Sequence, residues 1–255
     1  DAITTGDNNT ALGYNTMTAN TTASSNTAVG GEAMLTNTTG ASNVAVGYAA
    51  LYTNNGAENV AIGKDAMRLN TTAGQNVAVG FEAMEANTTG VRNLAIGYQA
   101  YTASDTENDN LAIGYQAMTT NGTGAEYNIA IGNYSMDAAI TGDGNVGVGH
   151  NTLTVDTSGW YNVAVGHQSM ALNTTGAKNT ALGANTLEVN VDGDQNVAVG
   201  RNALALNTGA DNNVAVGYSA MAANTTGGNN TAVGMNAMAL NTTGTGNTGI
   251  GAYAL

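Results

Sequence analysis

The chain has 255 residues, and only 9% of them are charged, five basic against eighteen acidic, for a formal net charge of −13. That balance excludes nucleic acid and anionic membranes as surfaces the chain would seek. Proline and cysteine are absent, so neither disulfides nor thiolate metal sites brace the fold.

The opening DAITTGDNN has neither the basic nor the apolar region of a signal peptide, and no run of 18 apolar residues follows it. No direct membrane insertion is therefore expected of this segment. From Asn9 onward an asparagine opens a repeat at 9, 26, 43, 59, 76, 93, 110, 128, 145, 162, 179, 196, 213, 230 and 247. The interval is 17 except for one of 16, after Asn43, and one of 18, after Asn110. A fixed short period marks a solenoid whose coils cannot bury their apolar side chains alone. The expectation is one all-β domain over 1–255, a parallel β-solenoid of about fifteen coils. Residues 1–8 form the later part of a coil and 247–255 the first part of one. That phase suits either a segment of a longer repeat region or a subunit that polymerises end to end through uncapped edges.

With the asparagine as position 1, positions 2 to 5 read Thr or an aliphatic residue, then Ala, then Val, Ile or Leu, then Gly, as in Asn43-Val44-Ala45-Val46-Gly47. Alternation with β-branched residues predicts a strand. Gly at position 5, from Gly13 to Gly251, indicates positive φ or close backbone approach at a corner. Positions 8 and 9 pair a small residue with Met or Leu, as in Ala33-Met34, and are read as a second short strand. An NTTG-like turn follows, as in Asn37-Thr38-Thr39-Gly40. The length changes fall in that turn, at Asn54-Asn55-Gly56 and Asn121-Gly122-Thr123-Gly124. The asparagines at position 1 are expected to form an amide ladder along the column.

No charge occurs at positions 1 to 5, 8, 9 or 11. Both predicted strands are thus charge-free on both faces, with position 4 and position 9 as the large buried groups. A coil with two sheets has only one interior. Side-by-side association of columns is therefore expected to cover the second face.

The core Asn59-Val60-Ala61-Ile62-Gly63, with the small Ala66 at position 8, resembles the head repeats of YadA-like trimeric autotransporter adhesins, and longer repeats of this kind occur in phage tail-fibre shafts. The resemblance extends over all the copies, with a period of 17 that is longer than the usual coil of the adhesin heads. It implies a left-handed parallel β-roll assembled as a homotrimer, exposed on a cell surface or a virion.

Position 6 carries the long side chains that a binding surface would use, with Tyr48, Phe81, Tyr98, Tyr115, His150 and His167 as the candidate contact ladder. Aromatic rings at one corner of successive coils suit stacking on host-surface glycan or contact with protein. His150 and His167 sit one coil apart, but with no adjacent carboxylate or nucleophile they are read as contacts, not as a metal or catalytic site. The acidic residues Asp105, Glu107, Asp109, Asp143, Asp192 and Asp194 do not recur from coil to coil, so a solvated acidic surface is expected in place of calcium sites. Sequons such as Asn37-Thr38-Thr39 coincide with the turn motif. No cofactor and no enzyme activity are expected. The expectation is a non-enzymatic extracellular structural or adhesive protein, the shaft or head of an adhesin, tail fibre or filament. The alternative is a β-solenoid that binds ice or carbohydrate.

Overall fold

A computed structural model describes residues 5–103, 105–120, 122, 124–138 and 140–255. Two compact units divide the chain, Asp1–Tyr127 and Asn128–Leu255. The first holds β1 (Thr10–Leu12), β2 (Thr27–Val29), β3 (Val44–Val46), β4 (Val60–Ile62), β5 (Val77–Val79), β6 (Leu94–Ile96) and β7 (Leu111–Ile113). The second holds β8 (Ile129–Ile131), β9 (Val146–Val148), β10 (Val163–Val165), β11 (Thr180–Leu182), β12 (Val197–Val199), β13 (Val214–Val216), β14 (Thr231–Val233) and β15 (Thr248–Ile250). Within each unit every strand pairs in parallel with the next, one coil on, as in Ala28 against Ala45 and Ala181 against Ala198. The fold is an all-β solenoid with a repeat of about 17 residues, and no helix occurs among the described residues.

The short coil keeps register, with Val44 opposite Val60. Its missing residue is absorbed in the turn, where Asn54 Nδ2 donates to the Gly56 carbonyl two residues on instead of three. In the lengthened turn, Asn121 and Thr123 lie outside the described residues.

Each coil has one strand, not two. Among the described residues positions 5 to 11 hold no second strand, only turns, bends and irregular backbone, and φ is positive at positions 5, 7, 9 and 17, as at Gly30 (138°), Glu32 (60°), Met34 (51°) and Ser42 (60°). In a strand, successive side chains face opposite ways. Here the successive residues Ala33 and Met34 are both fully buried, and the left-handed backbone at Met34 is what turns both inward. Each such residue costs roughly 1 to 2 kcal/mol. The offset comes from neighbouring coils: Glu32 N–H donates to the Tyr14 carbonyl (2.8 Å) and Met34 N–H to the Ala50 carbonyl (3.0 Å).

The interior also reverses the expected strand orientation. The alanines of position 3 (Ala28, Ala45, Ala78) point in and are fully buried. The larger residues at positions 2 and 4 point out and stay half-exposed or exposed. A coil this thin has room for alanine opposite alanine and methionine, but not for two layers of valine. At β9 glycine takes the place of alanine. Position 8 is Ser135 in one coil and Thr152 in the next, their hydroxyls 2.6 Å apart, and a Cβ on Gly147 would lie 2.8 Å from both oxygens. Ala181 stands between the same two residue types, Ser169 and Thr186, whose hydroxyls bond instead to the Ala181 and Gly200 carbonyls, so the glycine of β9 matches the hydroxyl pair and not the size of its neighbours. At position 5 both sequence-based reasons apply: Gly97 has φ of 144°, and a Cβ there would collide with the Gly114 carbonyl.

A Cβ at Gly147 would break the Ser135–Thr152 hydroxyl pair, so Gly147→Ala is expected to cost about 1 kcal/mol. Adding Ser135→Ala and Thr152→Ala recovers most of that loss. Chemical denaturation of the single and triple variants measures both; equal stability of the two would refute this account.

Candidate functional site

Position 6 follows the corner glycine, so its side chain leaves the coil outward, and in-register pairing sets successive side chains about 4.7 to 4.9 Å apart. In the first unit that spacing stacks Phe81 on Tyr98 (centroids 5.1 Å, planes 10° apart) and Tyr98 on Tyr115 (5.2 Å, 8°). Lys64 Nζ lies 5.1 Å from the Phe81 ring centre and 3.0 Å from Asp65 Oδ2. The hydrogen bond and charge of Asp65 raise the lysine above its ordinary pKa. Tyr48 stands apart from the stack, with its hydroxyl donating to Glu32 Oε2 at 2.9 Å. That hydrogen bond and the carboxylate's charge push the phenol up. In the second unit His150 stacks on His167 (5.5 Å, 8°), with Tyr134 edge-on to His150 (5.9 Å, 81°).

Stacking decides what these ladders offer. The interior ring faces cover one another, which leaves edges, hydroxyls and ring nitrogens to solvent. Imidazole lone pairs lie in the ring plane, so two parallel stacked rings cannot both aim at one ion. Among the described residues no group of three or more His, Asp or Glu is placed to hold a metal.

The acidic residues are engaged by the chain's own donors. Asp109 takes both Nε and an Nη of Arg92, each at 2.7 Å, and that pairing holds its carboxyl below the usual range. Asp105 accepts from the Thr88 hydroxyl, and Asp194 from Ala177 N–H at 2.7 Å. Glu107 is 3% exposed and accepts backbone N–H groups of Gly124, Asp105 and Thr106 at 3.0 to 3.1 Å. Burial alone would raise its carboxyl, but those backbone donors outweigh it and the net direction is down.

Two asparagine ladders, not one, run through the interior of each unit. At position 1 each backbone N–H donates to the preceding asparagine's Oδ1, as Asn43 to Asn26 (2.8 Å) and Asn196 to Asn179 (2.9 Å). Most of the Nδ2 groups reach a turn carbonyl about fourteen residues on, as Asn179 to Gly193 (2.8 Å), while that of Asn213 has no partner. At position 12 the side chain closes its own turn: Asn37 Oδ1 accepts from Gly40 N–H, and Nδ2 donates to the Gly40 carbonyl, both at 2.9 Å. Rungs also join, as Asn190 Nδ2 to Asn173 Oδ1 at 2.7 Å. Asn37 and Asn173 are fully buried, so in the folded chain these sequon asparagines offer no amide for a glycan. Recurrence of Asn at position 12 beside the charge-free position 11 was the available sign of burial.

The outer strand face is apolar and partly exposed. Positions 2 and 4 form two charge-free columns in each unit, with Ile62 40% exposed, Ile96 38% and Leu182 38%. Large contiguous apolar surface of this kind marks an interaction site. No protein-family model matches the chain, and no curated protein shows significant similarity to it.

Removing one ladder rung leaves buried donors and acceptors without partners, at about 1 to 3 kcal/mol for each group. Asn179→Ala is expected to lower stability by roughly 3 kcal/mol or more. Tyr98→Ala, which removes exposed ring stacking, costs only about 1 kcal/mol. Urea midpoints of the two variants give the comparison, and a Tyr98 effect as large as the Asn179 effect would contradict it.

Proposed function

We propose that the chain is a non-enzymatic extracellular structural and adhesive module, the β-solenoid shaft or head of a surface adhesin, tail fibre or filament. Copies associate side by side as a homotrimer through the outer strand faces. The observation that carries this reading is the pair of charge-free columns, aliphatic at position 4 and aliphatic or threonine at position 2, which stay half-exposed or exposed in a single chain while alanine points inward from position 3. The repeat core Asn59-Val60-Ala61-Ile62-Gly63 supports the same reading through its likeness to YadA-like heads. The variable position-6 corner is then the side presented to host glycan or protein, repeated along the shaft so that weak contacts add through effective concentration.

An ice- or carbohydrate-binding solenoid is the second reading, and the turn threonines argue against a version built on them. Their hydroxyls donate to carbonyls of the next coil, as Thr174 to Val191 (2.8 Å) and Thr225 to Thr242 (3.0 Å).

Analytical ultracentrifugation should give a trimer mass for the wild type. Val79→Lys with Ile96→Lys should shift that mass to monomer while leaving the circular dichroism spectrum unchanged. A wild type that sediments as a monomer at high micromolar concentration would sink the assembly, and thermal hysteresis at micromolar protein would favour the second reading.

A further inference from the structure

One rung of the position-12 ladder is not asparagine. Asp156 stands there in the second unit, fully buried. Its Oδ1 accepts from Gly159 N–H at 2.9 Å, as Asn20 Oδ1 does from Ala23 N–H and Asn37 Oδ1 from Gly40 N–H. The other half of the motif fails. Where Asn173 Nδ2 donates to the Gly176 carbonyl and Asn190 Nδ2 to the Gly193 carbonyl, both at 2.9 Å, Asp156 supplies Oδ2, which has no hydrogen-bond partner. An ionised carboxylate has no donor to offer the Gly159 carbonyl, but a carboxylic acid has one.

We propose that Asp156 is a protonated rung, its neutral carboxyl donating from Oδ2 to the Gly159 carbonyl in place of the asparagine amide, and that loss of this proton to solvent loosens the turn 156–161. The surroundings supply no compensating charge. Asn145 and Gly159 come from its own coil, and Asn162 and Asn173 from the next. The ionisable side chains along that corner, Asp143, Tyr161 and Lys178, are exposed. Ala139, in the coil before, lies outside the described residues. Burial pushes the Asp156 carboxyl up to about 7, against hydrogen bonds from Gly159, Asn173, Asn162 and Thr157 that act to lower it. An unfolded chain releases this proton near the ordinary value of 3.8. Between 3.8 and about 7 the folded state holds the extra proton, so stability falls as pH rises, and above about 7 the full penalty remains. The coil is thus firm in acid and weakest above neutrality.

Trp160, the one tryptophan of the chain, lies in the same turn and reports on it. Wild-type protein should show a change in Trp160 emission with a midpoint near pH 7, faster hydrogen exchange over 156–161 above it, and melting several degrees lower at pH 8.5 than at pH 5.5. Asp156→Asn, which restores the ladder residue, should abolish all three and melt higher at pH 8.5. His150 and His167 are retained in that variant, so a transition they caused would persist. An infrared band of a protonated carboxyl at pH 5.5, absent from Asp156→Asn, identifies the group independently. An unchanged transition in Asp156→Asn, or no protonated-carboxyl band in the wild type, would overturn the proposal.

Discussion

Backbone hydrogen bonding from each coil to the next, repeated in one register, is the constraint from which the other features of both units follow. The ladder runs through strand and turn alike, as in Thr27 N–H to the Asn43 carbonyl (2.9 Å) and Met34 N–H to the Ala50 carbonyl (3.0 Å). A coil therefore cannot change the path of its backbone without orphaning groups in both neighbours. The corner glycines express this most sharply, because a single Cβ at Gly63 would meet the carbonyl of Gly80. Length changes are tolerated only in the turn, where an asparagine side chain can reach two or three residues with equal ease.

A stack held this way has a thin interior, and that thinness dictates its chemistry. The interior is partly polar, with asparagine rungs most of whose donors and acceptors close on the backbone or on the next rung, Asn70 Oδ1, Asn87 Oδ1 and Asn213 Nδ2 being left unpaired. Such networks are stable when every member is satisfied and expensive when one is not. Small changes are consequently felt between coils: the Ser135–Thr152 hydroxyl pair lies where a Cβ on Gly147 would intrude, and Asp156 leaves an oxygen without a donor. The exposed corner carries no such coupling, which is why Lys64, Phe81, His150 and Arg201 can occupy the same place in different coils.

The same geometry shapes the surface. In-register strands turn any outward residue into a column, so aliphatic residues at positions 2 and 4 become charge-free stripes and the rings at position 6 become stacks. The stripes are extended and apolar, suited to packing against a matching repeat. The stacks keep their edges and polar atoms outward, suited to many weak contacts.

Period, strand, corner glycine and position-1 ladder were all legible in the order of residues, because a repeated unit repeats its steric demands and leaves invariant letters. Avoidance of charge likewise marked the buried positions. What the alternation of Val44, Ala45 and Val46 cannot say is which face is inside. That depends on how far the opposite wall stands, and the wall is set by left-handed residues such as Glu32 and Met34, whose side chains carry no sign of that conformation. Two adjacent buried residues, Ala33 and Met34, were the one hint against a second strand. Burial of the position-12 asparagines and stacking of the rings arise between residues about 17 apart, so only the folded register brings them together.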